Sequence, residues 1–454
     1  MLGSLVLARQ SLCDWTERDA RLSELVAGLQ AGRRVAMPFD LLAIGASPAL
    51  QRACAEGFVA DKCPPSNPPL WQGERYAHDR IRIAYLSADF CDHPVSYLVA
   101  GMLEKHDRTR LQTYGISLAP RAPSPMSARI ERAFENFIHG SERHDSDLAA
   151  LLRAHEIDIA VDLMGHTRDS RTAIFAARPC PIQVSFVGFA GTMGAAYIDY
   201  LIADRIVVPE PDKAHFAEKI VYLPHNFLPN DDTRAIAATT PSRATEGLPE
   251  RGFVFCSFNQ SYKITREIFD CWMRLLHDLE GSVLWLSRSE PDTQAHLTRE
   301  ANARGIASER LVFARWTERQ EDHLARHRLA DLFLDTPVFN AHSTAADALW
   351  SGLPVLTCLG STFAGRVAGS LLNAVGLPEL ITQSLAEYES LALRLARDPE
   401  LHAAIKGKLA RNRQTHPLFD TVRFTRHLEA AYTAMRERQQ RGEPAASFAV
   451  DPIA

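Results

Sequence analysis

Four polar stretches carry the side chains of this chain that could do chemistry. In SADFCDHPVSYL (87–98), His93 precedes Pro94 at an expected strand-to-helix turn, and proline suits the first helical position. A histidine there could serve as a general base or position a phosphate; the plain alternative is an N-cap at the surface. In SFVGFAGTMGAAYIDY (185–200), Gly188, Gly191 and Gly194 surround Thr192. Such glycines allow close backbone approach to a ligand, and equally a tight turn. In CSFNQSYKITREIFDCW (256–272), Asn259, Gln260 and Lys263 lie ahead of a helix expected near Thr265. A lysine there can neutralise a diphosphate or simply be solvated. The fourth stretch is a pair. ERQEDHLARHRLAD (318–331) places His323 and Arg326 on one helical face, where a weakly hydrated guanidinium could face a base or ribose. NAHSTAAD (340–347) holds His342, Ser343 and Thr344, with Asp347 three residues after Thr344 as in a capping box. Such a helix N-terminus offers unpaired N–H groups and a positive dipole to an anion. The four loops together read as a site for a nucleotide-containing ligand. Asp145-Ser146-Asp147 spells a metal–nucleotide motif, but it opens the helix SDLAALLRAHE, and N-capping accounts for it. No cluster of metal ligands stands elsewhere.

The elements that must position these loops follow from the apolar pattern. Residues 1–62 read as helical, with Leu22, Leu25, Val26 and Leu29 on one face. The proline-rich stretch 63–80 is a linker. From 81 to 235, apolar runs without alternation (IRIAYLSADF, QTYGISLA, IDIAVDLMG, PIQVSFVGFAG, IDYLIADRIVVP, KIVYLP) read as parallel strands buried on both faces. After the polar stretch 230–252 the alternation restarts with FVFCSF, SVLWLS, RLVFA, LADLFLD and LPVLTCL. A helical tail follows, so 236–454 forms a second domain. The expected class is α/β, two doubly wound domains facing a cleft, with ligands bound beyond the carboxyl ends of the strands. Neither half has G-x-G-x-x-G or a Walker motif.

The chain has 454 residues and a formal net charge of −5, which gives no electrostatic case for nucleic acid as a partner. Eight cysteines without a C-x-x-C pair point to a reduced, cytoplasmic setting without disulfides or zinc. No apolar run approaches the roughly 20 residues that span a membrane. The apolar start MLGSLVLAR reads as a helix and not as a signal peptide.

In this order, DFCDHPVSYL, GFAGTMGAAYIDY, FNQSYKI, EDHLARHRLADLFLDTP and NAHSTAADALWSGLPVLT resemble the catalytic region of the O-GlcNAc transferase/SPINDLY-like glycosyltransferases. The resemblance covers 81 to about 435. It implies a glycosyltransferase-B fold whose second domain holds the nucleotide-sugar, with no metal or other cofactor and a protein as acceptor. It matches His93 to the family's active-site histidine, and Lys263, with its neighbour Gln260, to the lysine on the donor diphosphate. His323 and Arg326 match residues near the nucleoside, while His342, Ser343 and Thr344 match the phosphate cap. Asp347 matches the ribose-binding acid, and Gly188, Gly191 and Thr192 fall on the acceptor- and sugar-side loop. Four departures stand out: Cys91-Asp92 for glycine-asparagine, Ala190 for proline, Gln320 for a lysine of the animal enzymes, and Ser343 for threonine. The third opens the identity of the donor. Residues 1–62 show no repeat of period 34, so a repeat remnant capping the first domain is expected there.

The function implied is transfer of N-acetylglucosamine from UDP-GlcNAc to Ser/Thr of a protein. Its rivals are fucose from GDP-fucose, glucose from UDP-glucose onto asparagine, a sugar-nucleotide epimerase, and a non-catalytic scaffold. Oligomeric state is open.

Overall fold

In the computed structural model, which describes residues 1–120 and 122–453, the apolar runs become parallel strands. In chain order these are β1 (Ile81–Ser87), β2 (Leu111–Ser117), β3 (Asn136–His139), β4 (Ile159–Asp162), β5 (Ile182–Ser185), β6 (Tyr200–Ala203) and β7 (Lys219–Tyr222). They continue as β8 (Val254–Ser257), β9 (Val283–Leu286), β10 (Leu311–Phe313), β11 (Leu332–Leu334), β12 (Val355–Cys358), β13 (Ile381–Thr382) and β14 (Phe448–Ala449). Every ladder between them is parallel. The central strands β1, β4, β5, β8 and β9 are buried along nearly their whole length. Helices cover both faces of such a sheet, which is why the runs show no polar alternation. The sequence reading missed β3, β13 and β14. β3 is a half-exposed edge strand, and the other two are two residues each, too short to leave a pattern.

The chain divides into two compact units. One comprises Leu29–Phe39, Ala46–Asp232 and Asp420–Ala454, and is called the 46–232 unit below. Its sheet runs β14-β7-β6-β5-β4-β1-β2-β3, so the strand order reverses between β1 and β4. The other comprises Met1–Gly28, Asp40–Gly45 and Thr233–Phe419, the 233–419 unit. Its sheet runs β10-β9-β8-β11-β12-β13, with the reversal between β8 and β11. Loops at such a reversal leave the sheet toward opposite faces and open a crevice for ligands.

The chain ends differ from the expected boundaries. The tail is not wholly part of the second domain. Helix Thr421–Gln440 packs Phe424, Leu428, Tyr432 and Met435 into the 46–232 unit, each worth about 1.5–3 kcal/mol of burial. Its Glu429 is 1% exposed and accepts from the Asp107 N–H at 2.8 Å, with His106 Nδ1 at 3.1 Å. His106 Nε2 in turn meets the Tyr85 hydroxyl at 2.8 Å. β14 then pairs with β7. Nor do residues 1–62 cap the first domain alone. Helix Pro48–Lys62 belongs to the 46–232 unit, where Arg52 Nη1 donates to the carbonyl of Ala214 at 2.6 Å. Helix Leu2–Ser11 belongs to the 233–419 unit, its last carbonyl taken by Ser261 Oγ at 2.6 Å and Thr293 Oγ1 at 3.2 Å.

The proline-rich stretch is fastened rather than loose. The N–H groups of Ser66, Leu70 and Trp71 bond the carbonyls of Ala176, Ala177 and Arg178. No disulfide joins any of the eight cysteines. Among the described residues no helix is long and apolar enough to cross a membrane.

Candidate functional site

At the reversal of the 233–419 unit, the loops that leave β8 and β11 are knitted together. Asn259, just past β8, donates from Nδ2 to Thr336 Oγ1 at 3.3 Å and accepts from Thr344 Oγ1 at 3.0 Å. The following 3-10 turn, Ser261–Lys263, leads into helix Arg266–Asp278, whose N-cap is Thr265 as expected. Gln260 stands exposed at the head of this turn. The turn is held from below by the first helix through Ser261 Oγ, and Cys13 Sγ lies 3.7 Å from the Ser261 carbonyl.

Lys263 is not the solvated loop lysine that the sequence allows. It is 8% exposed, donates from Nζ to the Asn340 carbonyl at 2.8 Å, and lies 4.1 Å from the centroid of the Phe339 ring. Burial lowers its pKa, while the charge of Asp335 pulls it back up. Asp335, at the end of β11, is fully buried and accepts from the Ala341 N–H and from Thr357 Oγ1, both at 2.6 Å. Burial raises the Asp335 carboxyl, and those bonds offset it. A buried ammonium with one carbonyl partner keeps donors for an incoming anion.

The helix expected from Thr344 starts one residue earlier, at Ser343–Trp350, with His342 as its N-cap residue. The capping box does not form. Thr344 bonds Asn259 instead, and Asp347 lies too deep in the helix to reach back. His342 brings Nε2 to the Ala364 carbonyl at 3.1 Å, so that nitrogen carries the proton. Burial, with the Lys263 charge, pushes its pKa down to about 3, so the ring is neutral. The first N–H groups of this helix have no intrahelical acceptor by geometry and carry the positive end of its dipole. With Lys263 they set fixed dipoles and one cation side by side, an arrangement whose chemistry suits a polyanion.

Helix Gln320–Arg326 carries the next group. Arg326, whose spacing suggests a guanidinium facing a base or ribose, is held within the unit. It is 6% exposed, drawn in by the Arg315 carbonyl at 2.7 Å, His323 Nδ1 at 2.6 Å and the Phe258 ring at 4.7 Å. A guanidinium can only donate, so His323 is neutral with its proton on Nε2. Burial above all, with the neighbouring Arg326 and Arg234 charges, holds its pKa well below 6.5. His327, fully buried, places Nδ1 on the His323 carbonyl at 2.9 Å and stays neutral, its pKa pushed to about 4 by burial. Asp347 is not a free carboxylate: Arg234 pairs with its Oδ1, and Gln320 Nε2 lies 3.5 Å from Oδ2.

In the 46–232 unit, His93 is the N-cap residue of helix Pro94–Glu104, with Pro94 in the first turn. Its Nδ1 lies 3.3 Å from the Val95 N–H and 3.5 Å from Asp89 Oδ2, and the side chain is 41% exposed. The glycine-rich loop after β5 is explained by packing. A Cβ on Gly188 would stand 2.0 Å from the Leu163 carbonyl oxygen, and one on Gly194 (φ +64°) 2.5 Å from the Glu56 nitrogen. Gly191 is buried. Thr192, expected on the ligand side, is 4% exposed and donates to Glu218 Oε2 at 2.7 Å. Val187 keeps φ +65°, a strained state for a β-branched residue that costs about 1–3 kcal/mol. Asp145 pairs with Arg171 at 2.6 Å and Asp147 accepts from the His144 N–H at 3.3 Å. Among the described residues no group of three or more His, Cys, Asp or Glu is placed to hold a metal ion.

Sequence reasoning passed over Asp335, Asn340, His327 and Arg234. Asp335 had a signal, an acid directly behind the apolar run LFL. Arg234 had none, standing in a polar linker.

Comparison with known proteins bears on these loops. The model of glycosyl transferase family 41 matches residues 66–238 and 232–428. The chain is similar to an Arabidopsis thaliana protein named "Probable UDP-N-acetylglucosamine--peptide N-acetylglucosaminyltransferase SEC", 34% identical over 97% of this chain and 47% of that protein. A Caenorhabditis elegans UDP-N-acetylglucosamine–peptide N-acetylglucosaminyltransferase is 27% identical over 96% of this chain and 49% of its own length. The chain thus spans about half the length of these curated relatives. Among solved structures, a mutant of the Thermobaculum terrenum O-GlcNAc transferase superposes with a TM-score of 0.83 and 30% identity, over 96% of this chain and 83% of that one. The two parallel α/β units with short N-terminal helices have the glycosyltransferase-B fold.

Proposed function

The chain belongs to glycosyl transferase family 41, and on that premise we propose that it moves N-acetylglucosamine from UDP-GlcNAc to Ser/Thr hydroxyls of a protein. The acceptor oxygen forms a bond to the anomeric carbon while the bond from that carbon to the diphosphate breaks. Negative charge builds on the departing diphosphate. Lys263 and the N–H groups at Ser343 and Thr344 receive it, and preorganised donors in a dry site act most strongly where charge develops. The single observation behind this reading is the pairing of a buried Lys263 with a helix N-terminus at the strand-order reversal. Neutral His323 and His342 fit a site whose anion is met by one lysine and peptide dipoles. Gln260 stands at the mouth of the same turn.

We assign the acceptor side to the 46–232 unit, with His93 at its strand-order reversal. Its Nδ1 accepts from the Val95 N–H at 3.3 Å, so the neutral ring carries its proton on Nε2, which donates to the acceptor oxygen and orients it, while the hydroxyl proton leaves to an oxygen of the departing diphosphate. Eight thiols in no disulfide fit work in the reducing cytoplasm.

The test is nucleotide release from UDP-GlcNAc, GDP-fucose and UDP-glucose, each supplied alone with a Ser/Thr-containing peptide. UDP release from UDP-GlcNAc, with a matching N-acetylhexosamine mass gain on the peptide, is expected. Release from GDP-fucose or UDP-glucose alone overturns the donor, and release from none overturns the enzyme reading.

A further inference from the structure

We propose that Arg234 is a binding residue of the nucleotide site, where with Asp347 it recognises the ribose diol. This inference rests on the nucleotide-sugar reading of the 233–419 unit. Arg234 has a side chain 4% exposed and bonds Asp347 Oδ1 through Nη1. Its Nε and Nη2 are also buried, and they have no acceptor among the described residues. Trp350 Nε1 donates to the Arg234 carbonyl at 3.1 Å, which fixes its backbone. Among the described residues Arg234 alone leaves two guanidinium nitrogens buried and unmet, where Arg18, Arg21 and Arg326 leave one each. Arg171 shows the contrast, with bonds to Asp145 and to the carbonyls of Gly140 and Arg143. Buried donors left unmet are costly, and a fold keeps them where a ligand supplies the acceptor.

The chemistry of the pair selects that ligand. Asp347 can only accept and Arg234 can only donate, whereas a hydroxyl does both. One hydroxyl can donate to Asp347 and accept from Arg234, and a vicinal diol presents two such groups to the fork. A phosphate oxygen would sit against the Asp347 carboxylate, and a base edge, whose adjoining N–H and carbonyl would also match the pair, is told from the diol by nucleotides that lack the two hydroxyls. The Oδ2 contact from Gln320, at 3.5 Å, is long enough to yield to a better donor.

The experiment measures binding of UDP, GDP and their 2′,3′-dideoxy forms by calorimetry to the full chain, wild type, Arg234→Met and Arg234→Lys. Lysine keeps a cation beside Asp347 but lacks the planar fork, so it decides the matter if the methionine variant fails to fold. Wild type should prefer the diol form. Both variants should lose roughly 10- to 100-fold for the diol nucleotide, the weight of a charge-assisted hydrogen bond, with dideoxy binding nearly unchanged. Equal weakening for diol and dideoxy forms, or no weakening, overturns the role of Arg234. Failure of the wild type to bind either UDP or GDP overturns the nucleotide reading itself.

Discussion

Lys263→Met separates the chemistry of Lys263 from its packing. Methionine has a similar length, keeps contact with the Phe339 ring, and removes only the ammonium. Loss of one preorganised donor at the developing charge costs about 3 kcal/mol, or roughly a hundredfold in kcat. The stability ledger runs differently for a lysine that is 8% exposed. Its bond to the Asn340 carbonyl, 2.8 Å, is worth about 1.5–3 kcal/mol as a charge-assisted contact. Against that stands the desolvation of a buried ammonium, several kcal/mol in itself. Asp335 keeps its bonds from Ala341 and Thr357. The two sides nearly cancel, so the net change should stay within about 2 kcal/mol, or roughly 4–8 °C in Tm for a unit of this size. Lys263→Ala would add a cavity and cost about 2–5 kcal/mol more. The assay is nucleotide release from UDP-GlcNAc beside a thermal melt of the same preparation. Wild-type turnover in Lys263→Met, or a loss of activity accompanied by a melt lowered by more than about 15 °C, would refute the reasoning.

The pH profile tests the same residue. Burial holds the Lys263 pKa below the ordinary lysine range, and only the protonated form serves a diphosphate. So kcat/KM should fall as pH rises, beginning below the usual lysine value of about 10.4, and Lys263→Arg should abolish that fall; a profile flat to pH about 10 in the wild type counts against it. His93→Ala should stop transfer and cost about 1 kcal/mol of stability through the lost N-cap, whereas His93→Asn should stop transfer and keep the melt. Wild-type turnover of the asparagine variant would remove His93 from the reaction. Transfer should persist in EDTA, and its loss with recovery on adding magnesium or manganese would revive Asp145 and Asp147 as metal ligands. Glu429→Ala leaves the Asp107 N–H and His106 Nδ1 unmet in the core and should destabilise the 46–232 unit by about 3–5 kcal/mol. A shift under about 1 kcal/mol in chemical unfolding would show that the tail helix does not depend on this network.

The sequence alone determined the α/β class, most of the strands and the polar loops that follow them. These are local properties: a strand buried on both faces must be a continuous apolar run, and the turn behind it must be polar. It also determined where the helix behind Thr265 begins, since a cap is a matter of a few neighbouring residues. What a polar side chain in such a loop is bonded to was beyond it. Lys263 reads the same whether solvated or lying against Phe339, and the spacing of Arg326 says nothing of its contacts with Phe258 and the Arg315 carbonyl. Asp347 looked like the acid of a capping box, yet its partner is Arg234, 113 residues away in the chain. The chain ends were decided in the same way, because the apolar face of helix Thr421–Gln440 is equally suited to either sheet. Only the fit of Glu429 to His106 and Asp107, and of β14 to β7, settles which unit it completes. Pattern fixes an element and its buried face, while pairings between residues distant in the chain exist only once the chain has folded.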